Sequence, residues 1–154
     1  MNFTAKEDYG LRAVLDLAAH AGRGPIQTRE IAQRQRIPEQ FLEQLLAALR
    51  RAEVVRSTRG AGGGYALAAP PDRLTVGQVL RALSGPLVPP ELVEQPATSS
   101  PDAGRQESPE SILVRGIWTA FADALCAVAD RTTLQDLLDK RAESLRDHAY
   151  MMYI

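Results

Sequence analysis

Four of the five residues from 60 to 64 are glycine, in the stretch Arg59-Gly-Ala-Gly-Gly-Gly-Tyr65. Glycine inside a helix costs about 1 kcal/mol per residue relative to alanine, so the chain has to turn here. The flanks decide what kind of turn. Val54-Val55-Arg56-Ser57-Thr58 is β-branched, and Tyr65-Ala66-Leu67 returns an aromatic and apolar pattern. The spacing predicts two short antiparallel strands joined by a glycine-rich hairpin. Two other uses of glycine are excluded. A phosphate loop needs Gly-Lys-Ser/Thr entering a helix, and a dinucleotide fingerprint also needs a following helix, whereas Tyr65 enters a strand.

The residues before the hairpin read as helices. Leu42, Leu45, Leu46 and Leu49 form an i, i+3, i+4, i+7 stripe, the period of a helix with one buried face. Pro38 suits its first turn, where a missing N–H costs nothing. A shorter helix is expected from Thr28, with Glu30 in its first turn, ending before Ile37-Pro38. The first helix starts at Thr4, spaced with Glu7 as a capping box, and carries Leu11, Val14, Leu15 and Ala18 at helical intervals until Gly22-Arg-Gly-Pro25. A short helix, a tight turn, a longer helix and a glycine hairpin follow the order of a helix-turn-helix with a wing. Thr75 then caps a helix through Ser84, stopped by Gly85-Pro86.

Residues 87–108 are rich in Pro, Ser, Gln and Glu and hold few large apolar groups beyond Leu87, Val88, Leu92 and Val93, a loop or partly disordered linker. Ser108-Pro109-Glu110 starts a helix expected to run to about Asp130. Its residues Ile112, Val114, Ile117, Trp118, Phe121, Leu125 and Val128 cover more than one face, so it needs two partners. One is its own domain, and the other is most simply a second copy, met through Ile117, Trp118, Phe121 and Leu125. Thr132 or Thr133 caps a last helix from Leu134 to about Asp147, and the apolar tail Tyr150–Ile154 is expected to dock. The expected architecture is mostly α with a small β-hairpin wing. Residues 1–86 form a winged helix-turn-helix domain, 87–108 a flexible linker, and 109–154 a dimerisation helix and a C-terminal helix.

Composition narrows the function. Aromatics are only 5% of the 154 residues, which favours helices over a sandwich or barrel. One cysteine, Cys126, excludes an intramolecular disulfide and any two-cysteine metal motif within the chain. The histidines, His20 and His148, lie far apart, so catalysis has little to stand on and an enzyme is not expected. Lys6, Glu7 and Asp8 occupy the place of a signal peptide's apolar region, and the apolar run 124–129 is six residues long, too short to cross a bilayer. A cytoplasmic, soluble chain with no membrane partner is expected. Residues 1–86 carry 12 Lys and Arg against 8 Asp and Glu, while 87–154 carry 6 against 11. Such asymmetry points to one half that meets a polyanion, although scatter on a solvated surface gives the same count.

Opposite the leucine stripe lie Gln40, Glu43, Gln44 and Ala47, with Arg50 and Arg51 at the helix end. Gln pairs bidentately with adenine, Glu accepts from cytosine, and Arg takes guanine or phosphate. An ordinary solvated helix face has the same composition, but its position between a helix-turn and a wing favours DNA. Arg59 at the hairpin base, with Arg56 nearby, suits a narrow minor groove. Thr28 and Gly60 complete the set expected to face double-stranded DNA. A winged module that binds protein rather than DNA is the alternative. Cys126 sits in an apolar run with no basic neighbour in sequence and reads as a core cysteine rather than a reactive thiol.

Residues 1–85 resemble the Rrf-two family, the IscR-type winged-helix regulators of bacteria. The matching stretches are Tyr9-Gly-Leu-Arg-Ala-Val-Leu-Asp-Leu-Ala18, Ile31-Ala-Gln-Arg-Gln35, Phe41-Leu-Glu-Gln-Leu45 and Arg59-Gly-Ala-Gly-Gly-Gly-Tyr65. Residues 109–140 resemble its dimerisation helix more weakly, through Trp118 and Thr133-Leu-Gln-Asp-Leu137. The resemblance implies homodimers on palindromic operators, base contacts from Glu43 and Gln44, and Arg59 in the minor groove; the function expected of the chain is sequence-specific DNA binding that represses transcription. Many members hold an iron–sulfur cluster on three linker cysteines, but 87–111 has no cysteine or histidine. The resemblance is therefore to a clusterless branch, controlled by an unidentified small-molecule or protein effector.

Overall fold

The computed structural model describes residues 4–90 and 108–151. In chain order the elements are α1 (Ala5–Ala19), α2 (Thr28–Gln35), α3 (Glu39–Arg51), β1 (Val55–Thr58), β2 (Gly64–Leu67), a 3-10 turn (Pro71–Arg73), α4 (Val76–Ser84), α5 (Pro109–Arg131) and α6 (Leu134–Met151). Thr4 and Glu7 close α1 with the expected capping box, and Thr75 closes α4 with a second one completed by Gln78. Pro38 is the cap residue of α3 rather than a member of its first turn, with an extended ψ of 126°. Thr133 caps α6, its hydroxyl accepting from the Asp136 N–H at 3.0 Å while its own N–H donates to the Asp136 carboxylate at 2.8 Å.

The core is built as the apolar spacing predicts. Val14 and Leu17 of α1, Ile31 of α2, the α3 leucines and Val79 of α4 are all at most 2% exposed and form one cluster. Removing four such leucines from water is worth roughly 1.5–3 kcal/mol each. The two strands pair antiparallel with Val55 opposite Leu67 and Thr58 opposite Gly64. The base of the hairpin is tied to the loop before α2, because Ile26 and Tyr65 exchange N–H···O bonds of 2.8 Å in both directions. Gly64 permits that tie. Its φ is 155°, and a Cβ there would stand 2.3 Å from the Ile26 carbonyl oxygen.

One member of this cluster comes from far along the chain. Leu134, the first residue of α6, is 0% exposed among the winged-domain residues. The Val76 N–H donates to the Thr132 carbonyl at 2.9 Å and the Leu134 N–H to the Leu74 carbonyl at 2.9 Å. The start of α6 is therefore part of the winged unit's core. Leu87, expected in the linker, is likewise buried, beside Leu80 and Ala129. Most of the expected linker, residues 91–107, and the end of the apolar tail lie outside the described residues.

α5 behaves differently along its length. Its last turns pack on α4, where Ala129 is buried and Arg81 makes a two-pronged pair with Asp130 at 2.5 and 2.9 Å. Gly77 makes that approach feasible, since a Cβ there would stand 2.1 Å from the Asp130 carboxylate. Towards its start α5 exposes Ile112, Leu113, Val114, Ile117, Trp118 and Phe121, the last at 58%. Of the four residues expected to meet a second copy, Ile117, Trp118 and Phe121 are exposed, while Leu125 is half-buried against the cluster of Leu80 and Leu87. By length and composition α5 is also apolar enough to span a membrane. Short unbroken runs concealed this, because Arg115 and Asp123 interrupt the apolar sequence without outweighing it.

Cys126 is half-buried at the α4–α5 contact, packed against the small core cluster of Leu80, Leu87 and Ala129. What its sequence neighbours do not show is a basic group close by. The Arg81 guanidinium, which is held in its charged form first by Asp130, also lies beside the thiol. Arg81 is 45 positions away in sequence, so only the helix packing brings it there.

Candidate nucleic-acid interface

The turn between α2 and α3 fixes the recognition face. Arg36 ends α2 in the left-handed region, at φ 53° and ψ 48°, and redirects the chain into Ile37-Pro38. Asp16 of α1 anchors α2 from below. Its carboxylate accepts from Arg34 Nη2 at 2.7 Å, from Arg34 Nε at 3.0 Å and from Gln35 Nε2 at 2.9 Å. Burial would raise the Asp16 pKa, but the Arg34 and Gln35 hydrogen bonds and the Arg34 charge outweigh it and hold the carboxyl ionised. Tyr9 of α1 and Phe41 of α3 meet edge to face at 5.9 Å, which sets α3 across α1.

With its leucines buried, α3 presents Gln40, Glu43, Gln44, Arg50 and Arg51 to solvent. At the end of α3, Arg50 Nη1 reaches the Ser57 hydroxyl of β1 at 3.4 Å and joins helix to wing. A shallow hollow of about 390 Å³ lies between them, bordered by Gln27 and Thr28 of the α2 start, Arg50, Ser57, Arg59 and Gly60. Thr28, Arg50, Arg59 and Gly60, scattered over 33 positions, thus share one concavity beside the exposed face of α3. Gln27 and Ser57 belong to it too and were missed. Ser57 could have been found by strand alternation, since it points opposite to Arg56.

Arg56 lies elsewhere. It is on the other face of the hairpin, where it lines a separate and larger hollow with Thr58, Ala66 and His20. A flat reading of the sequence groups it with Arg59, but the two-residue period of a strand separates them.

Among the described residues no group of three or more His, Cys, Asp or Glu is placed to hold a metal ion. The one thiol of the chain, Cys126, has a guanidinium rather than further soft donors beside it. This donor set does not fit an iron–sulfur cluster, which takes thiolates with at most partial replacement.

A polar helix face, a helix start without a side-chain cap and an arginine-bearing hairpin around one concavity define the winged helix-turn-helix class of transcriptional regulators. The chain belongs to the Rrf2 family, described as an iron-dependent transcriptional regulator, whose match spans residues 3–140. The transcriptional regulator CymR of Bacillus subtilis (strain 168) is 38% identical over 154 residues, 100% of each chain. Protein rrf2 of Nitratidesulfovibrio vulgaris is 37% identical over 138 residues, 90% of this chain and 87% of the other. Among solved structures, T. potens IscR aligns with a TM-score of 0.73 and 35% identity, covering 94% of this chain and 90% of that one. The structure of CymR described as the global cysteine regulator of B. subtilis aligns with a TM-score of 0.70 and 36% identity, covering 91% and 98%.

Proposed function

We propose that the protein acts as a homodimeric, sequence-specific repressor with no catalytic role, bound to a palindromic operator in the cytoplasm. The carrying observation is the concavity that gathers Thr28, Arg50, Arg59 and Gly60 beside the polar face of α3. α3 enters the major groove, with Glu43 and Gln44 reading base edges and Gln40 and Arg51 flanking them. The α2 start and Arg50 hold phosphate, since a helix N-terminus offers free N–H donors to an anion. Arg59 enters the adjacent minor groove. A second copy covers Ile117, Trp118 and Phe121, which sets two recognition helices roughly 34–36 Å apart, one helical turn of DNA.

The donor set supports a clusterless regulator, expected to purify colourless and free of iron, with its signal delivered by another ligand or partner. The test of the DNA reading is binding to random and selected duplexes across a salt series. Phosphate contacts release counterions, so affinity should fall steeply and log-linearly with salt on every sequence. Selected sites should show two symmetric half-sites. A protein that ignores duplex DNA at 50 mM salt is a protein-binding winged module instead.

A further inference from the structure

We propose that the hollow on the back of the wing is a binding site for a small carboxylate with an apolar body. It measures about 750 Å³ and lies between the end of α1, the 20–26 loop, the hairpin and the segment entering the 3-10 turn. Ligand pockets commonly fall between roughly 300 and 1,000 Å³. Space exists there because the hairpin and the chain after it carry Ala66, Ala68 and Ala69, where larger side chains would fill it.

Its chemistry is lopsided. The cationic head is Arg56, which makes no ion pair among the described residues. The imidazole of His20 stands in the same lining, its Nδ1–H donating to the Asp16 carbonyl at 2.7 Å. With Nδ1–H committed to that carbonyl, the neutral ring has no second N–H to offer an anion, so Arg56 is the donor that a carboxylate would use. No acidic side chain lines the hollow, and the nearby Asp16 carboxylate is engaged by Arg34 and Gln35. The remaining lining mixes apolar groups, the prolines at 25, 70 and 71 and the edges of the buried Leu17, Ile26 and Leu67, with the polar side chains of Thr58 and Tyr65. One planar guanidinium beside a partly apolar hollow matches a carboxylate, which it holds with two parallel bonds. A bare phosphate would leave those walls unused. The face proposed for DNA, where Arg50 and Arg59 lie, is the opposite one of the hairpin.

Hexanoate is the probe, with hexanamide and inorganic phosphate as comparisons, titrated into the full-length protein without DNA and followed by backbone amide chemical shifts. Hexanoate should move the amides of residues 20–26 and 66–69 saturably, with hexanamide and phosphate each at least tenfold weaker. Arg56→Gln should weaken hexanoate at least tenfold, and Ala68→Phe, a change at an exposed position that fills the hollow, should abolish the shifts while core amides stay in place. If Arg56→Gln fails to fold, the hexanamide comparison and Ala68→Phe decide alone. No saturable shift with hexanoate, equal binding of the amide or of phosphate, or indifference to Ala68→Phe overturns the site. None of these readouts uses DNA, so they succeed or fail independently of the operator reading.

Discussion

α3 and α5 are both long, amphipathic and rich in leucine, isoleucine or aromatic residues, yet they end up in opposite circumstances. α3 hides Leu42, Leu45, Leu46 and Leu49 completely and shows solvent its glutamines, glutamate and arginines. α5 shows solvent Ile117, Trp118 and Phe121 and buries only alanines, Ala122 and Ala129, fully. The first helix is satisfied within its own chain, so its remaining face is free to specialise. The second is left with an apolar surface that a soluble monomer rarely tolerates. A helix whose apolar face is spent inside the domain can serve as a reader, and one whose apolar face is unspent is left available for assembly.

The sharpest way to break that contrast is to truncate each buried or exposed side. Leu46→Ala should cost about 2–5 kcal/mol of folding free energy, because the close-packed α1–α3–α4 interior cannot collapse around the void; urea unfolding measures it. Phe121→Glu should leave the stability of the isolated protomer, measured by urea unfolding at concentrations where both proteins are monomeric, within about 0.5 kcal/mol, as for a surface change. It should instead weaken self-association at least 100-fold in sedimentation. A protein that is already monomeric at micromolar concentration removes the two-half-site mechanism. Arg59→Ala should cost on the order of 1–3 kcal/mol of operator binding with folding intact. Glu43→Ala is a subtler change. A carboxylate facing a polyanion weakens general affinity, so its removal should hold or raise nonspecific binding while relaxing preference at one base per half-site. Identical selected sequences for both proteins would make Glu43 a solvated residue only.

A last prediction tests how α1 is held to α4. Glu7 is buried, and its pKa falls from 4.5 to about 2. Burial pushes it upward, but hydrogen bonds from the Ser84 and Thr4 hydroxyls and the Thr4 N–H prevail. A depressed acid contributes stability that is complete above the unfolded value near 4.5 and is lost as pH falls from there through about 2. Glu7→Gln should flatten the acid limb in that window, and an unchanged limb would assign it to other carboxylates.

The winged unit was legible because its signals are local. Caps at Thr4 and Thr75, the leucine period and the glycine hairpin each depend on residues within a few positions of one another. What escaped were contacts joining distant positions. Nothing near Leu134 in sequence announces that it completes a core begun at Val14, or that 132–134 pairs with 74–76. The Arg81–Asp130 pair and the arginine beside Cys126 are equally silent, since packing of α4 on α5 creates them. At the interface, the residue types were readable but not their sides. Arg56 and Arg59 are three positions apart, an odd separation across a strand end, and only the register sends them to different faces.

The double attachment of α5 has a mechanical meaning. One end of the helix is clamped to the winged unit by the Arg81–Asp130 pair and by the strand-like pairing of 132–134, while its apolar stripe lies towards the other end. A 23-residue helix is a stiff rod about 34 Å long at 1.5 Å per residue. If two such rods join in the proposed dimer, the angle at each clamp would set how far apart the two reading heads stand. A tilt of about 10° at the clamp moves the far end of the rod by roughly 6 Å over that length. Such a shift is a sizeable fraction of the roughly 34–36 Å period that two half-sites must match. In the dimer proposed above, the spacing of the operator would be set by the geometry around Gly77 and Asp130, far from any base pair.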